Sequence, residues 1–205
     1  MEPGGFGDHL GNDVPKLRDA IDPTRAVLEA ARDAGMTVIY TREGHEPNLA
    51  DCPQTKRERG NLDVGIGDEG PMGRVLVRGQ PGHEIVPELE PRPEEPVVDK
   101  PGKGSFYATD LDILLDNAGI ENLVITGVTT EVCVHTTIRE ANDRGYECLF
   151  LEDCVGSHFE EFHRVVVEII KAQGGIFGWV ADADQFLSAL DSARINETPV
   201  PEPDH

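Results

Sequence analysis

The chain has 205 residues, with 39 acidic and 18 basic side chains and a formal net charge of −21. This length suits one α/β domain with a sizeable core, and the negative charge argues against nucleic acid or anionic membranes as partners. No membrane-length apolar run and no signal peptide are visible, so we expect a cytoplasmic protein whose four cysteines are free thiols.

The basic residues are skewed toward arginine, with 13 Arg and five Lys. A surface rich in Asp and Glu and poor in Lys suits a protein that stays hydrated in concentrated salt. Two interpretations stay open, a halophilic protein and an ordinary acidic enzyme. Unfolding experiments distinguish them, because only a halophilic protein should have an unfolding midpoint that rises between dilute and molar KCl.

The first residues predict a helix followed by a strand. Residues 1–12 are rich in glycine, and no strand precedes them. Asp22 is the predicted N-cap of a helix with Pro23 in its first turn, and Gly35 ends the helix. Residues 37–41 are a β-branched run that predicts a buried parallel strand. A helix followed by a parallel strand is typical of α/β folds.

Residues 42–96 form a long polar segment rich in Gly and Pro. A segment of this length is normally a functional loop, a lid or an oligomer contact. Residues 65–70 spell G-x-G-x-x-G, but no apolar strand precedes them and their acidic side chains would repel a phosphate. Candidate ligands in this segment match no metal-site spacing, so no metal is expected: His45, Asp51 and His83.

The second half alternates between strand and helix patterns. Apolar runs predict strands at 96–99, 123–126, 146–151 and 176–180, and helical periodicity predicts helices that begin near Asp110, Cys133, Glu160 and Asp182. On the helix from Glu160, one face carries Phe162, Val166, Ile169 and Gln173. The alternation predicts one three-layer α-β-α domain at 1–195 with a mostly parallel, Rossmann-like sheet whose first strand is missing. Residues 196–205 predict a disordered acidic tail.

Cys133 lies at the predicted start of a helix, just beyond the carboxyl end of a strand. Helix N-termini favour a thiolate, and ligands bind at this edge of α/β sheets. Cys133 alone is either a nucleophile or a small buried core residue. Lys100 and Lys103 follow another strand of the predicted sheet, where cations would lower the pKa of the thiol. Either lysine taken singly could be a solvated turn residue, but together with Cys133 they favour the nucleophile.

Four separated motifs resemble the isochorismatase-like cysteine hydrolases, and within them the biuret amidohydrolases. The motifs, in order, are E-P-G-G-F-G, V-V-D-K-P-G-K-G-S-F-Y-A-T-D-L, G-V-T-T-E-V-C-V-H-T-T-I-R-E-A-N-D-R-G-Y and A-Q-G-G-I-F-G-W-V. The resemblance covers about residues 1–190. It implies hydrolysis of a small linear amide or ureide, biuret to allophanate and ammonia, without a cofactor. It also implies a homo-oligomer, often a tetramer.

The resemblance implies a Cys–Asp–Lys triad in which Cys133 is the nucleophile and Lys100 is the lysine. It also implies a non-proline cis peptide between Val128 and Thr129. The N–H groups of Thr129 and Cys133 would then form an oxyanion hole.

Substrate contacts are implied for Lys103 and Gln173. For Gln173 a structural alternative stays open, in which its amide bonds loose carbonyl groups at the end of its own helix.

The triad aspartate is where the chain departs from the resemblance. In the family it ends a strand a few residues before E-P-G-G-F-G, whereas the sequence here begins at Met1. Asp8 and Asp13 lie past that motif and do not fit the role. We expect either that the natural protein extends upstream of Met1, the favoured interpretation, or that the chain is truncated and catalytically impaired.

Three functional alternatives stay open. The same chemistry could act on triuret, ureidoacrylate or an N-carbamoyl compound. A non-catalytic paralogue could use the pocket for binding or assembly. Isochorismate hydrolysis is the third alternative, and it does not require a cysteine nucleophile.

Overall fold

The computed structural model describes residues 1–60 and 63–196. The helices are α1 (Phe6–His9), α2 (Val14–Arg18), α3 (Ile21–Asp33), α4 (Gln54–Arg57), α5 (Leu111–Asn117), α6 (His135–Asp143), α7 (Glu160–Gly175) and α8 (Ala183–Asn196). The strands are β1 (Tyr40–Glu43), β2 (Glu69–Gly70), β3 (Gly73–Arg74), β4 (Val97–Lys100), β5 (Asn122–Val128), β6 (Glu147–Gly156) and β7 (Trp179–Ala181). Within the described ranges, no helix is long and apolar enough to cross a membrane.

Parallel pairing confirms the predicted α/β class. Strands β5, β6 and β7 form one parallel sheet in that order, and β1 pairs with β4 in a second parallel sheet. Strands β2 and β3 form a short antiparallel ladder in the long polar segment. The expectation that Lys100 and Cys133 share one sheet is wrong in hydrogen-bonding terms, because no ladder joins β4 to β5 in the described part of the chain.

Helices cover both faces of the sheet around β6, which confirms the layered arrangement. Side chains of β6 alternate between the two faces, as the period of a strand requires. Phe150 packs into a core shared with α5, α6 and α7. Leu151 and Cys154 pack on the other face with Val27 of α3 and Ala183 of α8.

Several boundaries differ from the sequence predictions. Helix α3 begins at Ile21, so Asp22 lies in its first turn and is not the N-cap. Strand β1 runs from Tyr40 to Glu43, later than predicted. The prediction at Asp182 is confirmed, because its carboxylate accepts a bond from the N–H of Gln185 at 2.7 Å while the Gln185 amide oxygen accepts from the N–H of Asp182 at 3.0 Å. This reciprocal pair is a capping box.

The inward face of α7 also differs from the prediction. The buried residues of this helix are Val166, Val167 and Ile170, whereas Phe162 is 47% exposed. The helix carries more apolar residues than one face can bury, so periodicity alone did not select the stripe that packs on β6.

The predicted tail at 196–205 lies outside the described residues except for Asn196, which ends α8.

Candidate active site

Cys133 lies in a π-helical turn between β5 and α6. The turn spans Thr130–Val134, directly after a cis peptide bond between Val128 and Thr129. The Thr129 carbonyl accepts hydrogen bonds from the N–H groups of Val132 and Val134, each at 3.2 Å. Sequence reasoning expected a regular α-helix here. π-Helical turns are rare overall, but those that occur are frequently found at functional sites.

Side chains from two other elements hold this turn in place. Thr130 is fully buried, and its Oγ1 lies 3.0 Å from Nδ1 of His163 on α7. Thr137 donates from Oγ1 to the Cys133 carbonyl at 2.7 Å, and the same hydroxyl lies 3.0 Å from Oγ of Ser105. The backbone of Cys133 is therefore tied to both α7 and the loop after β4.

The thiol of Cys133 faces a carboxylate. Its Sγ donates a hydrogen bond to Oε2 of Glu43 at 3.7 Å. Burial raises the pKa of the Cys133 thiol, Lys100 opposes this rise, and the nearby Glu43 charge adds to it. Lys100 and Lys103 lower this pKa, as expected from the sequence, but desolvation outweighs them, so the pKa lies above its ordinary value. The resting group is a neutral thiol.

Lys100 is a buried cation at the carboxyl end of β4. It is 3% exposed, and its Nζ donates to the carbonyl oxygens of Gly102 at 3.1 Å and Lys103 at 2.6 Å. The short K-P-G-K loop thus folds back around the ammonium group, which rules out a solvated turn lysine. Lys100 lies close enough to Cys133 to lower the pKa of its thiol by charge and by hydrogen bonding.

Glu43 joins this site and was missed in the sequence. Its side chain is 10% exposed. Nζ of Lys103 lies 2.9 Å from Oε1 and 3.1 Å from Oε2, and Nζ of Lys56 lies 2.9 Å from Oε1. Burial would raise the pKa of the Glu43 carboxyl, but Lys103 and Lys56 together hold it below its ordinary value. Glu43 is therefore ionised at neutral pH.

One sequence signal could have identified this cluster. The chain has only five lysines, and three of them surround the thiol and Glu43: Lys56, Lys100 and Lys103. In a protein whose basic residues are mostly arginine, three lysines grouped in this way indicate one functional site. Glu43 also ends a strand next to β4, where it lies opposite Lys100 in the parallel register.

Gln173 lies near the C-terminal end of α7. It is exposed and follows the regular part of α7 in a left-handed conformation with φ of 54°. Within residues 1–60 and 63–196, its side chain makes no hydrogen bond, either to the site or to the end of its helix. Among those same residues, no group of three or more His, Cys, Asp or Glu could hold a metal ion.

Comparisons with known proteins place the chain among related sequences. A family profile described as isochorismatase domain matches residues 5–185. A ureidoacrylate amidohydrolase of Acinetobacter baylyi is 31% identical over 199 residues, which cover 91% of this chain and 77% of that protein. The matched family region contains the whole cluster around Cys133.

Solved structures share the fold. A cysteine hydrolase from Pseudomonas syringae pv. phaseolicola superposes with a TM-score of 0.75 at 25% identity and covers 87% of this chain and 83% of its own. An N-carbamoylsarcosine amidase from Thermoplasma acidophilum gives a TM-score of 0.67 at 24% identity, with 84% and 87% covered. The second likeness is evidence for the fold alone.

Proposed function

The chain belongs to the isochorismatase family, and on this premise we propose that it is a cysteine-dependent amidohydrolase that cleaves a C–N bond of a linear amide or ureide. The observation that supports this most is the cluster of a half-buried thiol, a buried lysine and a buried carboxylate at Cys133, Lys100 and Glu43. Nucleophilic acyl transfer needs a nucleophile and a nearby positive charge that stabilises the anion of that nucleophile. The thiol and the lysine supply these two groups.

Biuret is the substrate we propose, with allophanate and ammonia as products. The support is the resemblance of the K-P-G-K-G-S-F and A-Q-G-G-I-F-G segments to biuret amidohydrolases. The second candidate is the same chemistry on ureidoacrylate, which the relative at 31% identity favours by its name. Triuret and N-carbamoyl compounds belong to the same substrate class.

The proposed reaction begins with attack of the Cys133 sulfur on the carbonyl carbon. Lys100 stabilises the thiolate, and the N–H groups of Thr129 and Cys133 bind the oxyanion of the tetrahedral intermediate. Loss of one such donor typically costs about 100-fold to 1000-fold in rate. The C–N bond then breaks, ammonia leaves, and water hydrolyses the thioester. Neither a metal nor an organic cofactor has a part in these steps.

Two side chains are proposed to contact the substrate. Lys103 presents a half-exposed ammonium group beside Glu43, where it can donate to a ureide oxygen. The role of Gln173 rests on the resemblance alone. The prediction that turnover is impaired without the family's aspartate stays a prediction, as do a single domain at 1–195, a homotetramer and a cytoplasmic location.

Ammonia release from a panel of substrates tests the proposal. The panel contains biuret, triuret, ureidoacrylate and an N-carbamoyl amino acid. Isochorismate, the third alternative, contains no nitrogen, so its consumption is followed separately. We expect the highest kcat/KM with biuret. Faster turnover of ureidoacrylate would move the assignment to the second candidate. No ammonia from any member, with the protein folded by circular dichroism, would contradict the amidohydrolase proposal.

A further inference from the structure

We propose that Lys56 is a positioning residue that holds residues 100–103, the K-P-G-K loop, in the shape that presents Lys100 to the Cys133 thiol. The inference rests on the proposed function above, in which Lys100 stabilises the thiolate. It gives a part in that function to the long polar segment at 42–96, through helix α4. Lys56 acts through Lys100, so it is a positioning residue and not a catalytic one.

The ammonium group of Lys56 has three acceptors around it. Its Nζ donates to Oε1 of Glu43 at 2.9 Å, at the end of β1, and to the carbonyl oxygen of Pro101 in the loop after β4. Nε2 of His45 lies 3.1 Å from the same Nζ and can accept the third hydrogen bond. A lysine ammonium has three N–H donors, so these contacts can use all of them. Lys56 therefore joins α4 to β1 and to the loop that follows Lys100.

Pro101 is the point at which Lys56 reaches the loop around Lys100. Three successive carbonyl groups there accept from a lysine ammonium, that of Pro101 from Lys56. Those of Gly102 and Lys103 accept from Lys100, at 3.1 Å and 2.6 Å. Pro101 is buried, and buried backbone carbonyls are almost always paired. Loss of the Lys56 donor should therefore make this carbonyl take a new partner and shift the neighbouring carbonyl groups that hold Lys100.

The charge of Lys56 acts on the groups that it contacts. Burial raises the pKa of the Glu43 carboxyl, and the charges of Lys103 and Lys56 bring it below its ordinary value. At the Cys133 thiol, burial raises the pKa most, and Lys100 is the charge that opposes this rise most. A shift of the loop weakens the effect of Lys100, because Coulomb energy falls with distance. The position of Lys100 is thus the route by which Lys56 affects the thiol.

Amide hydrogen exchange tests the positioning in the free protein. A peptide that contains residues 100–106 is followed by mass spectrometry in the wild type, Lys56→Met and Arg57→Met. Arg57→Met is the matched control, because Arg57 is an exposed cation on the same short helix. Exchange should be about 2-fold to 10-fold faster in Lys56→Met, the factor that corresponds to the net contribution of one hydrogen bond. In Arg57→Met it should stay at the wild-type rate.

The pH profile of thiol alkylation tests the consequence for the nucleophile. Iodoacetamide is applied between pH 6 and 11, and the modified Cys133 peptide is quantified by mass spectrometry against a Cys133→Ser blank. The midpoint of the profile depends on the pKa of the thiol and not on its accessibility, so a merely destabilised fold would not move it. In Lys56→Met the midpoint should lie about half a pH unit higher than in the wild type, because the displaced Lys100 supports the thiolate less. Arg57→Met should keep the wild-type midpoint.

Two results would overturn the proposal. One is exchange of the loop peptide in Lys56→Met that equals the wild type or that Arg57→Met reproduces, and the other is an alkylation midpoint that does not rise in Lys56→Met. If Lys56→Met fails to fold, Lys56→Gln, whose side chain is one bond shorter and uncharged, replaces it under the same criteria. If the wild type releases no ammonia from any substrate, the proposed function fails while both measurements still decide the role of Lys56.

Discussion

Lys100, Cys133 and Glu43 show how burial changes what a residue can do. In the sequence, Lys100 is one of two lysines after a strand that could each be a solvated turn residue. In the fold it is 3% exposed and donates to two carbonyl groups of its own loop. The thiol next to it is neutral, because burial outweighs the lysine charges. The site thus holds its nucleophile in the protonated form and needs a proton acceptor.

The prediction at the scale of residues concerns the charge of Lys100. Lys100→Met removes the charge that opposes the high pKa of the Cys133 thiol, so this pKa should rise further. Each unit of rise should slow alkylation at pH 7 about tenfold, since a pKa unit is a factor of ten in thiolate. Two carbonyl groups also lose their donor, which should destabilise the fold by about 1–3 kcal/mol. Alkylation rates and urea unfolding measure both effects.

Lys16→Met is the control for Lys100→Met, because Lys16 lies on α2, outside the cluster. It should leave the alkylation profile unchanged. Equal alkylation rates for Lys100→Met and the wild type across pH 6–9 would contradict the role of Lys100 as the cation that supports the thiolate.

The sequence predicted part of this site and missed the rest for identifiable reasons. Cys133 and Lys100 could be found because strand ends are visible as breaks in apolar runs. Glu43 was missed because β1 was placed at 37–41, so Glu43 fell into the polar segment that follows. The π-helical turn was invisible, since five residues are too few to separate its period from that of an α-helix. Gln173 was placed on a helical face, but the helix becomes irregular at Ala172.

At the scale of elements, a buried ion pair fixes α3 to the segment that leads into β4. The guanidinium of Arg32 donates from Nε and Nη2 to both carboxylate oxygens of Glu95, each at 2.7 Å. Both side chains are 7% exposed. The hydrogen bonds from Arg32 hold the pKa of the Glu95 carboxyl below its ordinary value. This bidentate pair fixes the segment before β4 and thereby the position of Lys100.

Glu95→Ala should therefore be strongly destabilising. Removing Glu95 takes away the bidentate partner of the buried Arg32 guanidinium, which among the described residues keeps only the half-exposed Glu29 as a carboxylate partner, and we expect a cost of about 3 kcal/mol, the low end of the range for breaking a buried pair. The matched control is Asp22→Ala, which removes the partner of Arg25 in an exposed pair and should cost about 0–1 kcal/mol. Urea unfolding of the two variants measures the difference. Similar losses in both would contradict a structural role for the buried pair.

At the scale of the whole molecule, four buried or half-buried histidines should set the response to acid. Burial lowers the pKa of four imidazoles: His45, His83, His135 and His163. An unfolded histidine titrates near pH 6.5, so below about that pH the unfolded chain binds protons that the folded chain refuses. Their contribution to stability is complete above about pH 6.5 and is lost as the pH falls. The lowered pKa of Glu43 and Glu95 acts only below about 4.3.

Stability should therefore fall between pH 7 and pH 5. Each of these histidines can add a slope of up to about 1.4 kcal/mol per pH unit in this window. The urea midpoint should be measured in molar KCl, because salt screens the repulsion of a chain with a net charge of −21. His163→Gln should reduce the slope. A midpoint that stays constant or rises from pH 7 to pH 5 in KCl would contradict this account.

The most direct test of the central claim compares ammonia release from biuret by the wild type, Cys133→Ser and Cys148→Ser. Cys148 is the matched control because it is a buried core cysteine on β6. Activity should disappear in Cys133→Ser, by about three orders of magnitude or more given the weak nucleophilicity of an unactivated hydroxyl, and should persist in Cys148→Ser. Ammonia release that survives in Cys133→Ser at a wild-type rate would contradict a cysteine-dependent amidohydrolase.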